Sequence, residues 1–529
     1  MSTATAPIED ALVAPKVNPW IIGIVVSLAA FMEVLDTSIA NVALPHIAGN
    51  LGASNDESTW VLTSYLVSNA IVLPSTGWLT QVFGRKRFFL VCIFLFTASS
   101  FLCGAAPSLS MLLLFRILQG AGGGGLQPMA QAILADTFPP QQRGLAFALY
   151  GVTAVCAPAI GPTLGGWITD SYSWRWIFYI NVPVGLLALF LVYQLVEDPP
   201  LDTKAPRRSL RFDYIGFALL TVGIGAFQVV LDKGQEDDWF GSHFITTLAV
   251  TAVVCLTALI IWEWSQKEPL IDIHLFRSFN FAVSSVMFFA LGFVLFASIV
   301  VMPQMLQTLM GYTAEIAGMV LSGGSFLLLL ALPFVGKLTG KYPAKYLIAF
   351  GWITLAIGMY LSTRQTDLLI SFGAASMLRV YQCVPIAFLF VPITLVAYVG
   401  LPREKSNAAA GIVNFMRNIG GSVGTSTVST MLARRSQFHQ SVLTEHTRSL
   451  QFADAANALA HRLNDAGIGQ IDSHTNAIGR LAQMVQAQAA VLSYIDIYWV
   501  IALGTAVMFF LSFFLKRNTP GAGGDIAVH

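Results

Sequence analysis

The sequence predicts an all-α integral membrane protein: two six-helix bundles with two further helices inserted between them, fourteen transmembrane helices in all. Three observations predict it. The 529 residues are 55% hydrophobic and only 11% charged, where soluble domains carry about 25% charged residues. A sliding hydropathy window finds fourteen stretches long enough to cross about 30 Å of hydrocarbon. The first six and last six of these stretches resemble each other.

The spans fall near 20–44, 60–80, 88–106, 110–134, 145–169, 176–196, 213–231, 244–264, 280–303, 315–336, 345–362, 371–399, 406–432 and 492–515. An even number places both termini on one side. Eighteen lysines and arginines lie in the segments on that side, and three (Arg175, Lys233, Arg364) in the short loops opposite. The positive-inside rule therefore makes both ends cytoplasmic. The expected division is a cytoplasmic amino terminus (1–19), an amino-terminal bundle (20–196), an inserted helix pair with its cytoplasmic linker (197–264), a carboxy-terminal bundle (280–515) with a long periplasmic loop (433–491), and a cytoplasmic tail (516–529).

The repeat is read from short matches. An offset of 259 residues separates Pro74 from Pro333, Gly77 from Gly336 and Lys86 from Lys345. Pro45 and Pro303 are 258 apart, and Arg116-Ile-Leu-Gln119 matches Arg379-Val-Tyr-Gln382 at 263. Duplicated six-helix halves mark transporters whose substrate site lies between the halves near the midplane.

Against this apolar background the interior charges stand out. Glu33 and Asp36 lie in span 1 and Arg116 in span 4. A charge at the bilayer centre costs about 2.5–3.5 kcal/mol on insertion scales, and such groups mark ion pathways by default. Glu33, Asp36, Thr37 and Asn41 form one polar stripe on span 1. Burial disfavours a carboxylate's charged form, as a proton carrier requires, and either Glu33 or Asp36 suits that role. Arg116 needs a partner; pairing with one of these carboxylates would couple conformation to protonation. Gln119 shares its face. Asn41 of span 1, Gln119 of span 4, and Asn414 and Arg417 of span 13, with the side chains Tyr65, Phe293 and Phe296, are candidates for lining a substrate cavity.

These residues resemble the major facilitator superfamily and its fourteen-span drug:proton antiporter branch. The resemblance rests on Leu35-Asp36-Thr-Ser-Ile-Ala-Asn41-Val-Ala-Leu-Pro45, Trp60-Val-Leu-Thr-Ser-Tyr65, Arg116-Ile-Leu-Gln119-Gly120 and Pro158-Ala-Ile-Gly161-Pro162-Thr-Leu-Gly165-Gly166. It also rests on Trp174-Arg-Trp-Ile-Phe178-Tyr-Ile-Asn181-Val-Pro183 and Asn414-Phe-Met-Arg417-Asn-Ile-Gly420-Gly421-Ser422. It implies the major facilitator fold, Asp36 as the acidic position of span 1, and Arg116 in proton translocation. It implies export through the pattern at Pro158, Gly161, Pro162, Gly165 and Gly166, expected here as a pivot and seal between halves. Gly84, Arg85, Lys86 and Arg87 resemble the cytoplasmic gate loop. The family's aspartate is replaced by Gln81, so Asp136 is the expected partner of that basic cluster. The resemblance further implies a periplasmic membrane-fusion adaptor and an outer-membrane channel, with 433–491 as docking surface.

Other classes are excluded or disfavoured. Gly120–Gly125 sits inside an apolar span with no lysine following, so it is no phosphate loop, and no metal-protease or hydrolase motif occurs. A net charge of +1 leaves no basic excess for nucleic acid. All five cysteines lie in apolar runs, against a disulfide framework or metal site. The chain is thus expected to be no enzyme and to use no cofactor. Its energy source is the proton gradient, with about 2.3 kcal/mol per charge from each 100 mV. A dedicated exporter of one natural compound, such as a fatty acid or siderophore, shares the fold. A proton-linked importer is disfavoured by the span-5 pattern.

Overall fold

In the computed structural model, residues 18–139, 141–197, 213–266, 269–446, 450–465 and 470–516 are described. The linker residues 198–212 and the terminal segments 1–17 and 517–529 fall outside them. Among the described residues the chain is helical, without strands. The helices are α1 (Pro19–Leu51), α2 (Asn55–Phe83), α3 (Arg85–Ala105), α4 (Leu109–Gly123), α5 (Leu126–Thr137), α6 (Arg143–Ser171), α7 (Trp176–Tyr179), α8 (Asn181–Leu195) and α9 (Tyr214–Lys233). They continue as α10 (His243–Ser265), α11 (Phe279–Thr308), α12 (Ala314–Leu338), α13 (Ala344–Gln365), α14 (Phe372–Ala397), α15 (Ser406–His446), α16 (Leu450–Asp465) and α17 (Gln470–Ser512).

Local chemistry sets the ends. Asn18 caps α1 by accepting from the Trp20 N–H at 3.0 Å, Pro19 occupies the first turn, and Gly52 ends the helix with φ +65°. Ser54 and Glu57 form a reciprocal capping box on α2. Among the described residues eleven segments are long and apolar enough to cross a membrane, with α4–α5 and α7–α8 each counted as one. The other long helices in the expected order are α2, α6 and α15, of 29, 29 and 41 residues. At 1.5 Å per residue each exceeds the hydrocarbon thickness. The lower hydropathy of α2 has a physical source: it buries Thr63, Ser68, Asn69, Ser75, Thr76 and Thr80 inside the protein, away from lipid.

The halves repeat their packing. The pairs α1–α6, α2–α4, α3–α4 and α3–α8 recur as α11–α15, α12–α14, α13–α14 and α13–α17. Between the halves, α2 packs on α15 and α6 on α12. The inserted α9 lies against α2 and α15 along that seam, and α10 packs on α9.

Residues 433–491, expected as a loop, are mostly helix. The helices α15 and α17 continue far past their apolar stretches, and α16 packs back on α17. Arg435 Nε and His439 Nε2 both reach Asp496 Oδ2, at 2.5 and 2.7 Å, tying α15 to α17 at the base of this extension.

Candidate functional site

Two buried polar networks meet around α1. The first centres on Asp36, 2% exposed. Arg116 Nη1 donates to Asp36 Oδ2 at 2.7 Å and to Gln119 Oε1 at 2.8 Å. Gln119 Nε2 and Asn181 Nδ2 donate to Asp36 Oδ1 at 3.0 and 2.7 Å. Both amides also donate to Ser100 Oγ, whose own O–H donates to the Phe178 carbonyl. Arg116 Nε takes the Val61 carbonyl, and its guanidinium lies 4.3 Å from the centre of the Tyr65 ring. Every partner belongs to the amino-terminal half. This is a charge-compensated pair with its remaining lone pairs engaged, as buried ion pairs require.

The second network centres on Glu33 and does leave that half. Tyr65 Oη and Asn69 Nδ2 donate to Glu33 Oε1 at 3.1 and 3.0 Å, and Gln127 Nε2 donates to Oε2. The Gln127 carbonyl oxygen then accepts from Tyr150 Oη and from Arg417 of α15. Asn414 Nδ2 donates to Gln131 Oε1 at 2.8 Å, and Asn69 accepts from Asn418. Glu33 is thus one residue removed from the carboxy-terminal half, with Gln127 as the bridge to Arg417 and Asn69 as a longer one to Asn418. The glycine run makes the room: a Cβ added at Gly123 would collide with Tyr65 Oη and crowd Asn69 Nδ2 and Glu33 Cγ at 3.3 Å, and one at Gly122 would collide with the α3 backbone. The same run breaks the span, with α4 ending at Gly123 and α5 starting at Leu126.

At one end of the molecule Arg85, 9% exposed, donates through Nη2 to Asp136 Oδ2 at 2.5 Å and to Asn407 Oδ1 at 3.1 Å. Ser406 Oγ donates to the other Asp136 oxygen at 3.4 Å. The Gly84 turn (φ +84°) starts α3 so that Arg85 points inward. Arg85 and Asp136 thus join the amino-terminal half to the start of α15. Lys86 lies over the Tyr193 ring, and Arg87 is exposed. Close backbone approach reinforces this end. A Cβ on Gly77 would meet Ala408 at 2.7 Å, and one on Gly336 would lie 2.9 Å from the Gly144 carbonyl.

Several expected sites are placed differently. Tyr65 and Gln119, read as substrate contacts, are fully buried inside the two networks. Asn41 is exposed and outside both, because the polar stripe runs off the buried face beyond Asp36. The Phe296 ring packs on Gly421 and so serves the α11–α15 contact, while Phe293, half-buried, contributes its backbone to that contact at Gly424. Asn414 and Arg417 do lie between the halves. The Pro158–Gly166 pattern packs on α1 of its own half instead of across the joint. Pro162 lacks the N–H that would bond the Pro158 carbonyl, and Ser38 Oγ donates to that carbonyl at 3.2 Å instead. Gly161 and Gly165 lie against Ser38 and Ile39. Gly420 and Gly424, 259 residues later, play the same part against α11. Earlier in α6, Gly144 and Gly151 do face the other half, Gly144 against Gly336 and Thr339 and Gly151 against Leu332 and Phe390. Partners absent from the expected sites are Asn69, Ser100, Tyr150 and Asn181; Ser100 and Ser362, 262 apart, carry a repeat signal beside the Arg116 match.

A two-bundle helical membrane protein with paired charges buried in one bundle and a polar bridge to the other has the architecture of a secondary transporter. Residues 26–425 match the family model of the Major Facilitator Superfamily, and the chain belongs to that family. It is 39% identical over 490 residues to the multidrug export protein EmrB of Haemophilus influenzae, covering 93% of this chain and 94% of the relative. The fatty acid resistance protein FarB of Neisseria gonorrhoeae is 37% identical over 474 residues, 89% of this chain and 91% of that protein. Among solved structures, a double-tryptophan mutant of XylE superposes with a TM-score of 0.61 at 14% identity, over 95% of this chain and 97% of that one.

Proposed function

We propose that this chain is a proton-coupled antiporter of the bacterial inner membrane, with both termini cytoplasmic, that exports hydrophobic and amphipathic compounds. The Glu33 network carries this reading. A two-bundle transporter works by rocking one bundle against the other around a fixed site, so a proton does mechanical work only where it changes the joint. Glu33 receives three hydrogen bonds as a carboxylate, one from Gln127, which also holds Arg417 of the other half. Protonation removes an acceptor and the negative charge facing Arg417, which loosens the bridge; release restores it. Asp36 and Arg116 supply a second ionisable pair that stays within one bundle.

Export is supported by the similarity to proteins named for multidrug export, and the side assignment by the positive-inside bias. The extension of α15–α17 supplies a folded surface beyond the bilayer for a membrane-fusion adaptor, with an outer-membrane channel completing a tripartite pump.

The test uses purified protein in liposomes, an imposed pH gradient and a lipophilic dye. Gradient-driven dye movement in the wild type that is lost in Glu33→Gln and in Asp36→Asn supports the antiporter. Dye flux indifferent to the gradient, or unchanged in both variants, refutes proton coupling.

A further inference from the structure

The duplication brings the same arginine to both halves but only one counter-ion. Arg379 on α14 matches Arg116 on α4, Gln382 matches Gln119, and Ser362 matches Ser100. The hydrogen bonds repeat as well: Arg379 Nη1 donates to Gln382 Oε1, and Gln382 Nε2 donates to Ser362 Oγ at 3.0 Å. At the position of Asp36, however, the 258-residue offset of span 1 places Val294. Arg379 is 5% exposed and pairs with no carboxylate among the described residues. Its bonds go to neutral oxygens, those of Ser298 and Gln382, at 3.3 and 3.4 Å, against 2.7–3.0 Å around Arg116. Its Nε has no partner, as Arg116 Nη2 has none, so the two arginines differ in the counter-ion and in the length of their bonds.

The lid differs too. In the amino-terminal half the Tyr65 ring covers the guanidinium. The 259-residue offset places Gly324 there, packed 2.8 Å (as an added Cβ) from Arg379 Cγ, with the exposed Gly323 beside it. A buried guanidinium without a counter-ion is costly, and its planar fork matches a carboxylate. Arg379 lies two turns into α14, between the apolar helices α11, whose Ser298 carbonyl it reaches, and α12, whose Gly324 it touches.

We propose that Arg379, with Gln382, is the head-group site for an anionic amphiphile, whose carboxylate takes the place that the Asp36 side chain occupies beside Arg116. This rests on the export reading and names a substrate class for it, one bearing a carboxylate head on an apolar tail.

The experiment measures equilibrium binding of 11-(dansylamino)undecanoate and of its methyl ester to the full-length protein in nanodiscs, in gluconate and in chloride buffer. The carboxylate is expected to bind at least tenfold more tightly than the ester. Arg379→Gln should abolish that preference without changing ester binding, and Arg379→Lys should retain part of it. Val294→Asp supplies an internal counter-ion and should likewise expel the carboxylate while ester binding persists, which reports that the protein is still folded. Equal binding of acid and ester in the wild type, or an unchanged preference in Arg379→Gln and Val294→Asp, overturns the proposal. So does loss of acid binding in chloride, which assigns the site to an inorganic anion. Because binding needs no gradient, loss of dye transport with head-group selectivity intact would refute the antiporter alone.

Discussion

Arg116 and Arg379 hold the same place in the two repeats and meet different surroundings. Around Arg116 stand a carboxylate, two amides, a hydroxyl and a tyrosine ring, which leave only its Nη2 without a hydrogen-bond partner among the described residues. Around Arg379 the amide and the hydroxyl persist, while the carboxylate is Val294 and the ring is Gly324. Helix packing survived duplication; charge compensation did not. The scaffold is therefore symmetric and the electrostatics are not. Each half is left with its own chemistry, ionisable groups in one and an uncompensated cation in the other.

The sharpest way to break this comparison is to remove one charge from each place. Asp36→Asn leaves Arg116 buried with no counter-ion, and breaking such a pair costs about 3–5 kcal/mol. Arg379→Gln deletes a charge that has no ion pair to lose, so its cost stays below about 1 kcal/mol. Thermal unfolding of the purified proteins should rank Asp36→Asn far below Arg379→Gln. Equal destabilisation would mean that Arg379 has a counter-ion after all.

The symmetric part is tested by glycines. Gly161→Ala and Gly420→Ala both place a methyl group in a helix contact, and overpacking costs about 1–3 kcal/mol. Gly420 faces the Phe289 backbone carbonyl, which cannot step aside, whereas Gly161 faces Ser38, whose Oγ can rotate away although its Cβ, 2.5 Å from the added methyl, cannot. Both variants should unfold at lower temperature, Gly420→Ala more so. A neutral Gly420→Ala would show that α11 and α15 do not pack as α1 and α6 do.

How much of this was legible before folding depends on contrast. Asp36 and Arg116 were readable because charge is rare in an apolar segment, and their pairing follows from the cost of leaving either alone. The two halves were readable because prolines and glycines keep their offsets. The Glu33 bridge was not: Asn69 and Tyr150 are ordinary residues of membrane helices, and only three-dimensional packing brings them to one carboxylate. The direction of a side chain around a helix was equally hidden. Tyr65 and Phe296 read alike as aromatic residues, yet one covers a guanidinium and the other fills the place against α15 that Ser38 fills against α6. The Pro158–Gly166 pattern announced close approach without saying to which helix.

The carboxylates themselves can be separated. Asp36 is held by one bundle and Glu33 bridges two, so Glu33→Gln should alter coupling more than stability. The amide keeps an acceptor for Tyr65 and Asn69 but cannot change charge. Gradient-driven transport should fall at least tenfold, about 1.4 kcal/mol in the barrier, with an unfolding temperature close to wild type. Retained gradient dependence in Glu33→Gln would move the carrier role to Asp36 and reduce the Gln127 bridge to packing.

The smallest expected effect lies at the sealed end, where the halves differ once more. Arg85 ties Asp136 to Ser406 and Asn407, and the 259-residue offset puts Ala344 in its place in the other half. A single charge cluster thus supplements the backbone contacts of Gly77 with Ala408 and of Gly144 with Gly336. Because the Asp136 side chain is 19% exposed, water screens part of the pair, and Arg85→Ala should cost about 1 kcal/mol of closure. That is enough to raise the open population about fivefold. A cysteine at Ala408, packed against Gly77 when the end is closed, should then react several-fold faster with a permeant maleimide in the Arg85→Ala background, after correction for the native cysteines. An unchanged rate would assign closure to the glycine contacts alone, and Gly77→Val would become the substitution that opens this end.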